Sequence, residues 1–305
     1  MGMKFGNGMR CLVRFLAMVA IILGSMGAEA AMAEHGSSEE AKTAILVVAF
    51  GTSVPEAQKA YDVIDQHIAA VFPKVERRWA YTSSIIRKKL RAQGRSLDPP
   101  ETALAKLMED GFTHVAVMSL HVIPGAEFHD LYVNARLFAQ MVGGFKKVTF
   151  ARPLLSSAED MTQVARAMAE SVPSERRPDE AVVYMGHGSE HHAADVAYVA
   201  MDAYFRKQDS NMSLATVEGS PSFDEVLGAL ESRRVRKVYL VPFMVVAGDH
   251  ALNDMAGKDA DSWKSQLEAK GIQAVPVFRG MGEIAAVVDI WIRHLQSAME
   301  ALGMP

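Results

Sequence analysis

Apolar residues fall along this chain in short unbroken runs, separated by segments of helical period. Ala44–Phe50 is continuously apolar, as a strand covered on both faces requires. Gly51-Thr52-Ser53 ends the run, and Pro55 suits a first helical turn. Ala57, Tyr61, Ile64, Ile68 and Val71 then recur at helical spacing and predict a core-facing stripe. The alternation continues with a strand near Glu76–Thr82 and a helix around Ser84–Arg91. A second helix runs from Pro99-Pro100 to about Asp110, before a buried strand at His114–Leu120. A long helix at Ala126–Met141, a short strand at Lys147–Phe150 and a helix at Met161–Ser171 follow. Pro173–Asp179 is polar and bears prolines, as a linker does.

The pattern then restarts. Ala181–Met185 predicts a strand ending in Gly186-His187-Gly188-Ser189, followed by a helix over about His192–Arg206. Strands at Leu214–Glu218 and Lys237–Met244 flank a helix at Phe223–Ser232. The apolar run through Val246 ends at Gly248, where Asp249 can cap a further helix. A helix at Ser262–Ala269, a strand at Gln273–Val277 and a long helix from about Glu283 to Leu302 complete the chain. Strands alternating with helices throughout predict an α/β fold with parallel sheets covered on both faces. AILVVAFGTS aligns with AVVYMGHGSE, and HVAVMSLHVIPGAE with KVYLVPFMVVAGDH, so the halves read as an internal duplication. On this register Phe50 pairs with His187, Gly51 with Gly188, and Glu127 with His250. The expected domains are 42–172 and 180–282, with 283–305 a helix packing back on the first half.

Composition adds compartment and excludes one class of partner. Lys4, Arg10 and Arg14 precede an apolar run at Phe15–Gly24, and small residues then offer cleavage positions between Ala28 and Ala33. This is the layout of a secretory signal peptide, 1–33, and predicts a periplasmic protein. No other segment is long and apolar enough to span a bilayer, so no membrane association is expected after cleavage. The single cysteine, Cys11, precedes the apolar run, so the mature chain has no disulfide and relies on its core. The net charge of −4 becomes more negative once the basic leader is removed, which argues against nucleic acid as partner.

The candidate chemistry lies in the second half. Three successive strands end in His187, Glu218 and His250, and in a parallel sheet those ends share one edge. Two imidazoles and a carboxylate suit a divalent first-row metal and leave positions open for a substrate. The aligned first-half position of His187 is Phe50, so the first half does not form the same site. A single histidine after a strand is commonly a hydrogen-bonded loop residue; three candidates at corresponding strand ends carry more weight. His67, His114 and His294 fall on helix surfaces or a strand start and receive no role. The dense basic run Arg87-Lys88-Lys89-Leu90-Arg91 is either a solvated helix face or a recognition patch for carboxylates. The 19 methionines are spread through predicted core segments, which reads as packing rather than a metal-binding cluster.

Met185-Gly186-His187-Gly188, Thr216-Val217-Glu218-Gly219 and the long string Val246 to Met255 closely resemble the CbiK-type sirohydrochlorin cobaltochelatases. Ala49–Ser53 and Thr82–Leu90 match the same family, and the likeness runs from about Lys42 to Leu302. The resemblance implies a class II chelatase fold, two Rossmann-like domains with a tetrapyrrole cleft between them. It implies metal on His187, Glu218 and His250, with Co²⁺ inserted into sirohydrochlorin and two protons released. His187 is the expected base. Arg87, Lys88, Phe50 and Gly51 are the expected substrate-binding residues. Fe²⁺ suits the same ligands. His129 in Gly125-Ala126-Glu127-Phe128-His129-Asp130 is a further candidate, either an exposed helical residue or an axial ligand for non-covalent haem at a contact between copies in a homo-oligomer. The export signal departs from the cytoplasmic setting of cobalamin synthesis. It keeps open an alternative from another class, a periplasmic carrier of metal or tetrapyrrole. A metal-dependent hydrolase has no nucleophile motif or two-metal carboxylate set to support it.

Overall fold

Two four-stranded parallel sheets carry the chain, and the second repeats the strand order of the first. The computed structural model describes residues 41–189 and 192–304, so the segment read as an export signal and His191 lie outside the described residues. In the first sheet β1 (Thr43–Ala49), β2 (Glu76–Tyr81), β3 (His114–Ser119) and β4 (Lys147–Ala151) are ordered β2-β1-β3-β4. In the second, β5 (Ala181–Gly188), β6 (Met212–Glu218), β7 (Lys237–Pro242) and β8 (Gln273–Pro276) are ordered β6-β5-β7-β8. All neighbours pair in parallel, so every strand leads its chain to the same edge of its sheet. The continuous apolar runs form the central strands, and β1 is buried from Ala44 to Ala49.

Nine α-helices cover the sheets: α1 (Lys59–Val71), α2 (Ser84–Ala92), α3 (Pro100–Glu109), α4 (Ala126–Phe138), α5 (Ala158–Glu170), α6 (Val196–Gln208), α7 (Phe223–Ser232), α8 (Trp263–Ala269) and α9 (Ala285–Leu302) among the described residues. Their starts follow local chemistry. The Ser83 hydroxyl accepts from the Ile86 N–H at 3.3 Å, and Ser157 accepts from Asp160 at 3.1 Å. Ser222 and Glu225 form a reciprocal capping box at α7. α9 ends at Gly303, which takes the left-handed φ of +93° that an L side chain resists.

Both sheets belong to one compact unit from Lys42 onward. One apolar cluster runs through it and joins Ile45 and Ile64 of the first half to Tyr184 and Phe243 of the second. α9 fills this cluster with Trp291 and Leu295, both fully buried, and lies against β3, β4, α1 and α5. The Thr149 hydroxyl of β4 donates to the Ala298 carbonyl at 2.9 Å. Among the described residues no helix is long and apolar enough to cross a membrane.

Three local expectations change. His294 is not on a helix surface: it is buried, with Nδ1 on the Arg152 carbonyl at 3.0 Å and Nε2 on the Asp160 carboxylate at 3.1 Å. The helix read as reaching Met141 stops at Phe138, because the chain folds back and the Phe145 N–H donates to the Phe138 carbonyl. A Cβ on Gly144 would lie 2.0 Å from that carbonyl oxygen, so the reversal needs glycine there. Asp249 does not cap a helix: the chain makes a single π-helical turn at Ala251–Met255 with His250 at its start. The Asp249 carboxylate instead pairs with Lys89 of the first half at 3.1 Å.

Candidate active site

A cavity of about 420 Å³ opens where the C-terminal edges of both sheets meet. That edge is where open α/β sheets bind ligands. The first half lines it with Phe50, Gly51 and Thr52 after β1, and with His121 and Glu127 beyond β3. The second half lines it with His187 and Glu218, at the ends of β5 and β6, and with His250, beyond β7. Most of the remaining wall is apolar, including Ile86, Leu120 and Val246, as a site for a large flat ligand requires.

β5 lies between β6 and β7, so His187 stands between Glu218 and His250. The rings of His187 and His250 are 4.9 Å apart, edge to face. Each ring has one nitrogen committed. His187 Nδ1–H donates to the Gly188 carbonyl at 3.0 Å, and His250 Nδ1–H donates to the Asp254 carboxylate at 2.6 Å. A carbonyl and a carboxylate only accept, so both neutral rings carry their proton on Nδ1 and keep the Nε2 lone pair. Two imidazoles with free Nε2 lone pairs are the donor set a first-row divalent metal takes.

Glu218 is exposed on the same rim. Among the described residues, no three histidine, cysteine or carboxylate side chains gather closely enough to enclose a metal ion. The structure therefore brings His187 and His250 together as a pair, with Glu218 as a neighbour on the cavity wall. The backbone beneath them is tight. Gly188 is paired with Glu218, takes φ +81°, and a Cβ on it would fall 1.6 Å from the Glu218 carbonyl oxygen. Asp195 ties the two loops: one oxygen accepts from the Ser189 N–H at 2.9 Å, the other from Ser220 at 3.2 Å.

The basic run is placed differently from its expected role. Arg87 and Lys88 do not line the cavity. Arg87 Nη1 donates to the carbonyls of Tyr81 and Thr82, closing the end of β2, so its guanidinium is committed to the fold. His129 also lies outside the cavity, exposed on α4 with its ring 5.4 Å from that of His192. His192 lines the cavity, but its Nδ1 accepts from the Ala194 N–H at 3.1 Å, which leaves the ring proton on Nε2.

Residues outside the sequence reading complete the site. Asp254 lies four positions after His250, a spacing that a helical turn brings together. His121 bridges Ser119, at 2.7 Å, and Glu127, at 3.0 Å, and so fixes a carboxylate on the wall supplied by the first half. No spacing rule links His121 to Glu127, because the turn between them is irregular. Glu127 itself is the position that aligns with His250.

A family model described as cobalt chelatase (CbiK) matches residues 43–300. The chain is 41% identical over 261 residues to the sirohydrochlorin cobaltochelatase CbiKC of Nitratidesulfovibrio vulgaris, covering 86% of this chain and 92% of that protein. It is 39% identical over 260 residues to the sirohydrochlorin cobaltochelatase of Salmonella typhimurium, covering 85% and 97%. Among solved structures, SirB from Bacillus subtilis with Fe³⁺ superposes with a TM-score of 0.59 at 18% identity, over 86% of this chain and 98% of that one. The structure of CbiX, a terminal enzyme of sirohaem biosynthesis in denitrifying bacteria, gives 0.51 at 15% identity, over 84% and 99%.

Proposed function

The chain belongs to the CbiK cobalt chelatase family, and from that membership we propose that it is a sirohydrochlorin cobaltochelatase. It exchanges the two pyrrole N–H protons of sirohydrochlorin for one Co²⁺, which enters the macrocycle. The observation that carries the reading to particular residues is the His187–His250 pair, two Nε2 lone pairs on one rim of a large apolar cavity.

His250 holds the incoming Co²⁺ through Nε2, with Glu218 supplying a second, anionic donor from the same rim. Water ligands leave the ion as these donors replace them. His187 accepts one pyrrole proton at Nε2, a task suited to an imidazole near neutral pH. The Glu127 carboxylate, held by His121 on the wall from the other half, accepts the second. Ala49, Phe50 and Gly51 border the cavity where the macrocycle lies, and Gly51, at φ +104°, packs against the Tyr81 ring where a Cβ would clash. Fe²⁺ fits the same donors and is the competing ion. We propose the periplasm as the setting of this chemistry, on the signal-peptide layout of residues 1–33.

Anaerobic mixing of the purified protein with sirohydrochlorin and Co²⁺, followed by absorption, tests the assignment. The spectrum of the cobalt product should grow catalytically with wild type and vanish with His187→Ala at unchanged thermal midpoint. Binding of the pigment with no metallation would make the protein a carrier instead. Turnover by His187→Ala near the wild-type rate would remove His187 from its role.

A further inference from the structure

A cavity of about 540 Å³ opens at the edge of the second sheet opposite to His187 and Glu218. Glu180, Asn211, Lys237 and Gln273 line it, at or just before the starts of β5, β6, β7 and β8. Arg177 of the linker lines it too, with Arg233, Arg234 and Arg236 past the end of α7. With Lys237 these make five cations against the two carboxylates of Asp179 and Glu180, in a chain of net charge −4. Glu180 is already matched, with Lys237 at 3.3 Å and Arg177 at 3.7 Å. Asp179 is exposed and, among the described residues, pairs with none of the arginines. Arg233 donates to the Asn211 side-chain carbonyl. Among the described residues no hydrogen bond or ion pair engages the guanidinium of Arg234 or Arg236.

The backbone at Arg234 is unusual. α2, α3, α8 and α9 are each followed by a glycine at positive φ, namely Gly94, Gly111, Gly271 and Gly303. α7 closes in the same way, but Arg234 takes the left-handed position at φ +56°. Among the described residues it is the only non-glycine there. The duplication gives a direct comparison, because the register that pairs His114 with Lys237 pairs Gly111 with Arg234. The two ends make the same bonds: Gly111 N–H to the Met108 carbonyl at 2.9 Å, and Arg234 N–H to the Glu231 carbonyl at 2.9 Å. On that register Asp110-Gly111-Phe112-Thr113 of the first half stands where the second has Arg233-Arg234-Val235-Arg236. Cations after a helix also complement its dipole. Arg233 and Arg236 already do so at negative φ, so the dipole does not require an arginine in the disfavoured conformation.

We propose that this cavity is a binding site for a phosphate group, borne by a soluble molecule or by a lipid headgroup. Guanidinium forks bind phosphate oxygens in pairs. Several forks around one cavity suit a tetrahedral group, whose oxygens point in several directions, better than a single planar carboxylate. A phosphate group carries up to two negative charges near neutral pH, which answers the excess of cations. The site lies at the far ends of the strands that carry His187 and Glu218, and it is separate from metal insertion.

Arg234→Gly tests the site without endangering the fold, since glycine is what this conformation favours and what the first half uses. Isothermal titration of wild type with pyrophosphate at low salt should show one saturable site, weakened as sodium chloride is raised. Arg234→Gly should weaken that binding by about tenfold or more. The thermal midpoint of the variant without pyrophosphate should hold or rise, and its rate of Co²⁺ insertion should stay within about twofold of wild type. No saturable binding by wild type, or equal affinity in the variant, would overturn the proposal. Flotation with phosphatidylcholine vesicles containing phosphatidylglycerol distinguishes the sources. Flotation of wild type that Arg234→Gly abolishes assigns the site to a lipid headgroup; pyrophosphate binding without flotation assigns it to a soluble phosphate compound.

Discussion

His250 donates its Nδ1 proton to Asp254 at 2.6 Å, one turn further along the same short helical segment. A carboxylate behind a histidine fixes the tautomer, orients the ring and makes the opposite nitrogen a better donor. Asp254→Asn keeps the size of the side chain and removes its charge. Co²⁺ affinity, measured by equilibrium dialysis, should fall by about 10- to 100-fold with the thermal midpoint little changed. An unaltered affinity would mean that His250 does not hold the metal.

Gly188 carries two separate requirements, and glycines elsewhere separate them. Its φ of +81° disfavours any side chain, and a Cβ would also strike the Glu218 carbonyl. Gly94 has a similar φ of +79° with nothing within 4 Å of the added Cβ. Gly94→Ala should cost only the conformational penalty, about 1–2 kcal/mol, and leave insertion activity intact. Gly188→Ala should cost more in denaturant unfolding and should lower activity by about tenfold or more, because β5 and β6 must part at His187 and Glu218.

Glu180 ties the linker to the base of the second sheet. Its carboxylate accepts from the Arg177 N–H at 2.8 Å and pairs with Lys237 at 3.3 Å. The Arg177 N–H, ahead of the Lys237 charge, holds its pKa below the ordinary 4.5. The folded state therefore binds this proton more weakly than the unfolded chain does. The stability it contributes is complete above about pH 4.5 and is lost as pH falls through the lower folded value. Urea midpoints of wild type and Glu180→Gln should differ at neutral pH and converge as pH falls below the ordinary carboxylate range. A constant difference across that range would exclude the carboxylate as the source.

His129 gives a direct test of haem binding. It is exposed and outside the cavity, and its ring neighbour His192 carries a proton rather than a lone pair on Nε2. A haemin titration should produce no saturable Soret shift that His129→Ala abolishes. A stoichiometric shift lost in that variant would establish His129 as an axial ligand.

The alternation of strands and helices was readable in the sequence because each half buries its central strands on both faces. The duplication was readable for the same reason, and the repeated strand order accords with it. His187 and His250 were readable as strand-end residues of adjacent strands. The fate of Arg87 was not, since its direction depends on where the free carbonyls at the end of β2 lie. His294 reads as one polar residue in an amphipathic helix; only the packing of α9 over Asp160 and Arg152 makes it an interior group. The Asp249 reading failed because His250 takes the helix start and Lys89 draws the carboxylate across to the first half.

α9, which begins only at Ala285, covers β3 and β4 of the first half, which end at Ser119 and Ala151. The first half consequently cannot finish its interior before the second half has been made. Its apolar sheet face stays open until α9 emerges. A chain built this way closes its first half late, and in that interval the uncovered face is exposed to other chains.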